Sequence, residues 1–158
     1  MITTHITDPH VACRHRLLTA YAWFVAARPI EGGSNPTSSA HKSALAVNEA
    51  RREEVLRILA LPAPVTPDGL RVTGLAMAIA AEGRAADSDA GLYLTLAARA
   101  ILGATGESLP PGFTGFGDEP GHDDRDRAAW TGSGSLPAWA QAGKVAPDDA
   151  DFMVEARA

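Results

Sequence analysis

Four stretches of apolar residues spaced three and four apart, each preceded by helix-capping residues, dominate the first 105 residues. Asp8-Pro9 and Thr66-Pro67 each place proline after an N-cap, at the first helical position, where its missing N–H removes no hydrogen bond. The predicted helices cover residues 9–28, a stretch from a cap at 37–39 to 61, residues 67–82, and a stretch from a cap at 87–89 to 103. This pattern predicts an all-α fold with a four-helix bundle-like N-terminal domain.

Apolar residues occupy most of the circumference of the fourth predicted helix: Leu92, Leu94, Leu96, Ile101 and Leu102. A helix that is apolar on all sides is expected in the interior of a protein. We therefore predict that the fourth helix is the most buried. Alanine supplies 31 of the 158 residues, and its small side chain allows helices to approach closely.

The composition changes after the fourth helix. Six glycines and three prolines lie among the nineteen residues from Gly103 to Gly121, which indicates a linker or an adherent loop. We predict a helical domain at 1–104, a Gly/Pro-rich linker at 105–122 and a small acidic appendage at 123–158. All of the net charge of -5 lies after residue 117. Because phosphate backbones bind regions with excess Lys and Arg, the acidic tail disfavours nucleic acid as a partner.

A single cysteine, Cys13, excludes an intrachain disulfide and cysteine-rich zinc sites. The sequence contains no run of about 18 uncharged apolar residues, and its start lacks the pattern of a signal peptide. These features predict a cytoplasmic protein in a reducing compartment, with no membrane partner.

Cys13 has two histidine neighbours in the first helix, at positions 10 and 15. His10 and Cys13 share a helical face, whereas His15 lies about 140° from His10 around the helix axis. A two-ligand metal site completed by His5 or His41, and a cysteine nucleophile with His10 as its base, stay open as alternatives. The favoured interpretation is surface histidines and a packed thiol.

The acidic run from Asp118 to Asp126, with His122, offers oxygen ligands for a hard cation. Such cations need ligands that converge from fixed positions, so a solvated linker is the favoured interpretation. We predict no catalytic residue, no metal site and no cofactor.

Two glycines and a proline between two tryptophans define a candidate recognition loop: Trp130, Gly132, Ser133, Gly134, Ser135 and Trp139. The segment resembles the C-terminal domain of the histone-like nucleoid-structuring (H-NS) family, whose signature is Trp-Thr/Ser-Gly-x-Gly-x-x-Pro-x-Trp. The resemblance implies a loop that enters AT-rich minor grooves, with Arg125, Arg127 and Lys144 on phosphates. Ser133 and Ser135 stand where the groove-reading arginine is expected, because narrow minor grooves attract arginine.

Residues 1–105 are similar to small helical alphaproteobacterial proteins of unknown function. The similarity lies in Ile58-x-x-Leu61-Pro62-Ala63 and Thr66-x-x-Gly69-Leu70-Arg71, and it implies helix boundaries without an activity. We predict a non-enzymatic interaction module, a regulator that self-associates or binds another protein. The alternatives are an H-NS-type DNA-binding protein and a small enzyme that uses Cys13 and His10.

Overall fold

The computed structural model describes residues 7–154, and every helix or strand assigned in this range is an α-helix. The helices are α1 (Pro9–Gly33), α2 (Ser39–Leu59), α3 (Pro67–Ala81), α4 (Asp89–Thr105), α5 (His122–Ala129), α6 (Ala138–Gln141) and α7 (Asp149–Val154). The predicted all-α fold, with four long helices followed by a smaller C-terminal part, is confirmed. No helix in this range is long and apolar enough to cross a membrane.

The core forms where α3 packs against both α1 and α2, which are joined by a short turn. Apart from Phe152 of α7, its largest fully buried apolar side chains come from these three helices: Leu17, Tyr21, Val47, Ile58, Val72, Leu75 and Ile79. Helix α4 packs chiefly on α3. One face of α4 is therefore covered by α3, and its opposite face points away from the core.

Each of the four long helices begins at a side chain that accepts a hydrogen bond from the helix backbone: Asp8, Ser38, Thr66 and Ser88. These caps lie at the positions predicted from the sequence. Because an N-cap satisfies a donor within its own first turn, its position depends on local sequence alone.

Helix α1 does not end before Pro29, as predicted, but continues to Gly33. Proline inside a helix removes one hydrogen bond and displaces the carbonyl groups of the preceding turn. One carbonyl of that turn, that of Ala26, accepts a hydrogen bond of 2.9 Å from the backbone N–H of Ser135. The C-terminal segment thus donates to the turn before the proline, next to Val25, whose carbonyl loses its helical donor at Pro29.

The prediction that α4 is the most buried helix is wrong. Its buried residues are Gly91, Thr95, Ala98 and Leu102, which form the face on α3, whereas Leu92, Tyr93 and Leu96 are exposed. The helix also extends past Gly103 to Thr105, because Gly106, with φ of 68°, adopts the left-handed C-cap conformation. Apolar residues around the whole of α4 therefore indicate a second, solvent-facing apolar surface.

The Gly/Pro-rich segment at 105–122 adheres to the helices along its second half. Phe116 is buried, and its carbonyl accepts a 2.7 Å hydrogen bond from the N–H of Ala85. The carboxylate of Glu82 accepts hydrogen bonds from the backbone N–H of Thr114 (2.9 Å) and from the guanidinium of Arg28 (2.9 Å). This part of the segment is held by directed hydrogen bonds rather than by apolar burial alone.

The tail at 123–154 completes the core on the outer side of α1. Trp139 is buried with its ring centroid 5.8 Å from that of Trp23, and the Phe152 ring lies 4.9 Å from the same indole. Phe24 contacts Trp130 at 6.1 Å. The apolar residues of the tail are too few for a core of their own, so they pack against α1 and α2.

Candidate functional site

The predicted recognition loop is fixed on α1 and is not a free-standing reading head. Its first tryptophan, Trp130, is half-buried and donates its indole N–H to Asp126 (3.2 Å). A Cβ added at Gly134 would lie 2.7 Å from the carbonyl oxygen of Ala26, so the loop backbone rests directly on the helix. Gly132 and Ser133 are exposed at the tip of the loop.

The three basic residues predicted to contact phosphate are all engaged within the protein. Arg125 donates to the carbonyl oxygens of Thr114 (2.9 Å) and Pro120 (3.1 Å). Arg127 lies 3.2 Å from the carboxylate of Asp124. The third basic residue, Lys144, pairs with Asp148 (3.0 Å) and Asp151 (3.1 Å), which raise the pKa of its amine. The acidic neighbours of Arg127 and Lys144 would repel a phosphate.

The histidines near Cys13 are held in separate places. His10 is buried, and its Nδ1 lies 2.8 Å from a carboxylate oxygen of Asp8. His15 Nε2 lies 2.9 Å from the backbone carbonyl oxygen of Phe152. Between residues 7 and 154, no hydrogen bond joins His10 to Cys13, and no group of three His, Cys, Asp or Glu side chains could hold a metal ion. His41 contacts the carbonyl oxygen of Glu31, and His5 lies outside the described residues.

The acidic run is tied down by arginine. Arg99 pairs with Asp118 (2.6 Å) and with Glu119 (3.1 Å), and its hydrogen bonds hold the pKa of Asp118 below its ordinary value. His122 is buried, with Nδ1 3.2 Å from the carbonyl oxygen of Thr114. The run is thus an ordered strap across α4 rather than a solvated linker.

The exposed face of α4 is uncharged over most of its length, and we call it the α4 stripe. Its members are Leu92, Tyr93, Leu96, Ala100, Gly103 and Ala104. Tyr93 is 66% exposed and Leu96 is 52% exposed. The charged residues of α4 lie outside the stripe: Asp89 is in the first turn, and Arg99 is bound to the acidic strap. An apolar surface of this kind on a protein is typical of an interaction site.

The α4 stripe has a gradient of side-chain size. Its N-terminal half carries the large residues, Tyr93 and Leu96, and its C-terminal half carries small ones, Ala100 and Gly103. A Cβ added at Gly103 would meet no atom within 4 Å, so this half is open to a partner. The stripe therefore combines a protrusion at one end with a recess at the other.

The recess continues into a hollow of about 420 Å³ beyond the C-terminal end of α4. Val65, Leu70 and Ala104 are among its lining residues. Arg71 also lines the hollow and donates from Nε to the carbonyl oxygen of Thr105 (3.2 Å). A hollow with apolar walls and a cation at its edge could bind a tyrosine side chain. The aromatic ring would pack against the walls, and the hydroxyl group would stay at the edge.

Charge differs between the two ends of the α4 stripe. Asp87 and Asp89 lie at the N-terminal end, where a helix dipole is positive, and Arg71 lies at the C-terminal end. Both acids are exposed, and neither forms an ion pair among residues 7–154. Arg71, however, already pairs with Asp68 (2.7 Å), so two antiparallel copies would bring an acidic end against an end that is close to neutral.

Comparisons of the chain with protein-family models, with curated proteins and with solved structures found no match. The resemblances to the H-NS family and to the small alphaproteobacterial proteins stay predictions. The functional conclusions therefore rest on the geometry of the helices and their surfaces.

Sequence reasoning missed the α4 stripe because it assigned the same leucines to the core. The α4 stripe could have been predicted from the number of apolar residues in α4, which is larger than one buried helix face requires. Only four residues of α4 are buried.

Proposed function

We propose that this protein is a non-enzymatic helical interaction module that self-associates through the α4 stripe. The observation that carries the proposal is the size gradient along the stripe, with Tyr93 and Leu96 at one end and Ala100 and Gly103 at the other. In an isologous dimer, residue i of the first copy contacts residue j of the second, and residue j of the first copy contacts residue i of the second. An antiparallel α4 pair therefore brings every large residue against a small one.

The register follows from the spacing. When two copies of α4 cross antiparallel about residue 98, Leu96 of one copy faces Ala100 of the other. Tyr93 then faces Gly103 and enters the hollow beside Ala104, while Asp89 approaches Arg71. Apolar contact and side-chain size both favour this register.

The length of α4 sets the expected strength. Seventeen residues span about 25 Å, so the pair buries an area at the low end of specific interfaces. We expect a dissociation constant of roughly 10–100 µM, as is usual for weak, reversible association. The protein would then change between monomer and dimer with its own concentration.

Sedimentation velocity across roughly 5–500 µM protein tests the proposal, a range chosen to bracket the expected constant. The wild type should shift from monomer to dimer, and Leu96→Glu should stay monomeric because its carboxylate would lose water inside the interface. Leu45→Glu is the matched control, since Leu45 is 45% exposed on α2, away from the stripe. A wild type that is monomeric throughout, or a Leu96→Glu variant that dimerises normally, would overturn the proposal.

A mixing experiment tests the antiparallel register. Leu96→Glu and Ala100→Lys should each be monomeric alone, but an equimolar mixture should form a heterodimer in which the new glutamate faces the new lysine. If the mixture stays monomeric while the wild type dimerises, the copies pair in another register.

A further inference from the structure

A cavity of about 480 Å³ lies between α2 and the C-terminal end of α3, closed at one side by Phe24 and Trp130. Val55, Ile79 and Leu94 provide apolar walls. Cavities of this volume, with apolar walls and a few polar groups, are typical of small-molecule sites. The α4 stripe is not part of this lining.

Arginine dominates the polar part of the lining. Four arginines reach the cavity, namely Arg28, Arg51, Arg52 and Arg84, whereas its only carboxylates are Glu82 and Asp126. Both carboxylates are engaged, since Glu82 pairs with Arg28 (2.9 Å) and Asp126 accepts from the Trp130 indole (3.2 Å). Arg52 pairs with Glu49 (3.2 Å), so Arg51 and Arg84 are the two lining arginines without an ion pair among residues 7–154.

Arg51 occupies the wall of the cavity without an acidic partner among residues 7–154. Its guanidinium donates to the side-chain oxygen of Asn48 (2.8 Å) and to the carbonyl oxygen of Ile79 (3.4 Å), both neutral acceptors. It also lies 4.3 Å from the centroid of the Phe24 ring. Burial lowers the pKa of Arg51, and the nearby charge of Glu82 opposes that shift. An anion in the cavity would offset the cost of burying the Arg51 charge.

Arg28 also borders the cavity, but its guanidinium is already held by Glu82 (2.9 Å) and by the carbonyl oxygen of Gly112 (3.0 Å). Its side chain is 2% exposed, and its Nε has no hydrogen-bond acceptor among the described residues. A buried N–H without an acceptor costs free energy, so buried polar groups in folded proteins normally have partners. The guanidinium lies 4.6 Å from the Phe24 centroid, so both arginines contact the same ring.

We propose that this cavity binds an organic carboxylate with an apolar body. Arg51 holds the carboxylate, and Arg84, which has no ion pair in the described range, guides it at the exposed mouth. The apolar body fills the space against Val55, Ile79 and Leu94. A compact inorganic anion would leave those walls uncovered, so apolar burial and charge pairing together define the ligand class.

Isothermal titration calorimetry with three probes tests the ligand class: 4-phenylbutyrate, its neutral amide 4-phenylbutyramide, and inorganic phosphate. The carboxylate should bind roughly tenfold or more tightly than the amide, because a hydrogen bond to a charged group is worth more than a neutral one. Phosphate should bind more weakly than the carboxylate. Equal binding of carboxylate and amide would show that the arginines do not select the ligand, and no binding of the carboxylate would remove the proposal.

Variants locate the site. Arg51→Gln should weaken 4-phenylbutyrate binding roughly tenfold or more, whereas Arg57→Gln should not, since Arg57 is an exposed arginine of the same helix outside the cavity. Circular dichroism verifies folding. If Arg51→Gln does not fold, Arg84→Gln at the mouth and Leu94→Trp, which fills the cavity, replace it. Unchanged affinity in folded Arg51→Gln, or in both replacement variants, overturns the assignment.

Discussion

The backbone N–H of Ser135 donates a 2.9 Å hydrogen bond to the carbonyl oxygen of Ala26, three residues before the proline inside α1. Pro29 has no N–H, so the carbonyl oxygen that it leaves without a helical donor is that of Val25, the residue before Ala26. Gly134, the residue before Ser135, lies so close to the helix that a Cβ added to it would be 2.7 Å from the same carbonyl oxygen. A proline in α1 and a glycine in the tail are thus matched across more than one hundred residues of sequence.

We expect Gly134→Ala to lower the free energy of unfolding by about 1–3 kcal/mol, the usual cost of forcing extra volume into a packed contact. The nearest neighbour of the new methyl group is the backbone carbonyl oxygen of Ala26 (2.7 Å), which cannot move aside as a flexible side chain could; Ile30 Cγ1 (3.0 Å) and Pro29 Cδ (3.2 Å) are next. Thermal and urea unfolding measure the change.

Gly33→Ala is the control for Gly134→Ala, because a Cβ at Gly33 would meet no atom within 4 Å. Its free energy of unfolding should stay within about 0.5 kcal/mol of the wild type. Equal stability of the Gly134→Ala and Gly33→Ala variants would mean that the loop does not rest on α1.

The tail should stabilise the helical core. Phe152 is 2% exposed and packs on Trp23, so Phe152→Ala should reduce the free energy of unfolding by about 3–5 kcal/mol. Met153, the neighbour of Phe152, is 59% exposed. Met153→Ala should change the free energy of unfolding by no more than about 0.5 kcal/mol. Denaturant unfolding with fluorescence detection gives both values. If the two variants are equally stable, the tail does not share the core.

Acid should weaken the contact between the beginnings of α1 and α3. The Thr66 hydroxyl donates to the carboxylate of Asp8 (2.7 Å), and this bond, with others from His10, holds the pKa of Asp8 well below its ordinary value. A carboxyl group whose pKa falls on folding stabilises the folded protein when the pH is above its pKa in the unfolded chain, which is about 4. This stabilisation is lost as the pH falls below that value.

The measurement is urea unfolding between about pH 3 and pH 7, a range that spans the unfolded pKa. Asp8→Asn should be less stable than the wild type at pH 7, and the difference should shrink as the pH falls below about 4. Asp123→Asn is the control, because that exposed carboxylate makes no hydrogen bond or ion pair within residues 7–154. A pH-independent difference for Asp8→Asn would contradict the assignment.

We expect no electrophoretic retardation of an AT-rich DNA duplex, even at low salt. Lys144 and Arg127 are paired with acids, and Arg125 is bound to backbone carbonyls. Attraction between protein and phosphate is largest at low salt, which makes that condition the most sensitive one. Retardation that weakens as salt is added would support the H-NS-type alternative instead.

Local signals predicted the helix starts well. The caps at Asp8, Ser38, Thr66 and Ser88 each accept from a donor two or three residues away, so a short stretch of sequence is enough to predict them. The continuation of α1 through Pro29 was not predictable in this way, because it is accompanied by a hydrogen bond from Ser135. Helix α5 was also missed, since its one buried residue, His122, gives no apolar periodicity.

The candidate sites were less predictable than the helices. Apolar residues on all sides of α4 could indicate either a central helix or a peripheral helix with a second apolar face. The choice depends on which helices cover α4, and the structure places it on α3 with the α4 stripe open. Arg28 and Arg51 belong to different helices, and only their shared contact with Phe24 brings them to one cavity.

The sequence by itself determined that this chain is helical, where its long helices begin, and that its tail is too poor in apolar residues to fold alone. These properties depend on short-range hydrogen bonding and on composition. The tertiary structure decided that the tail packs on α1, that α4 lies at the periphery and that arginines gather around Phe24. Each of these depends on contacts between residues far apart in sequence, which form only when the chain entropy lost on folding is offset by the packing of all the helices together.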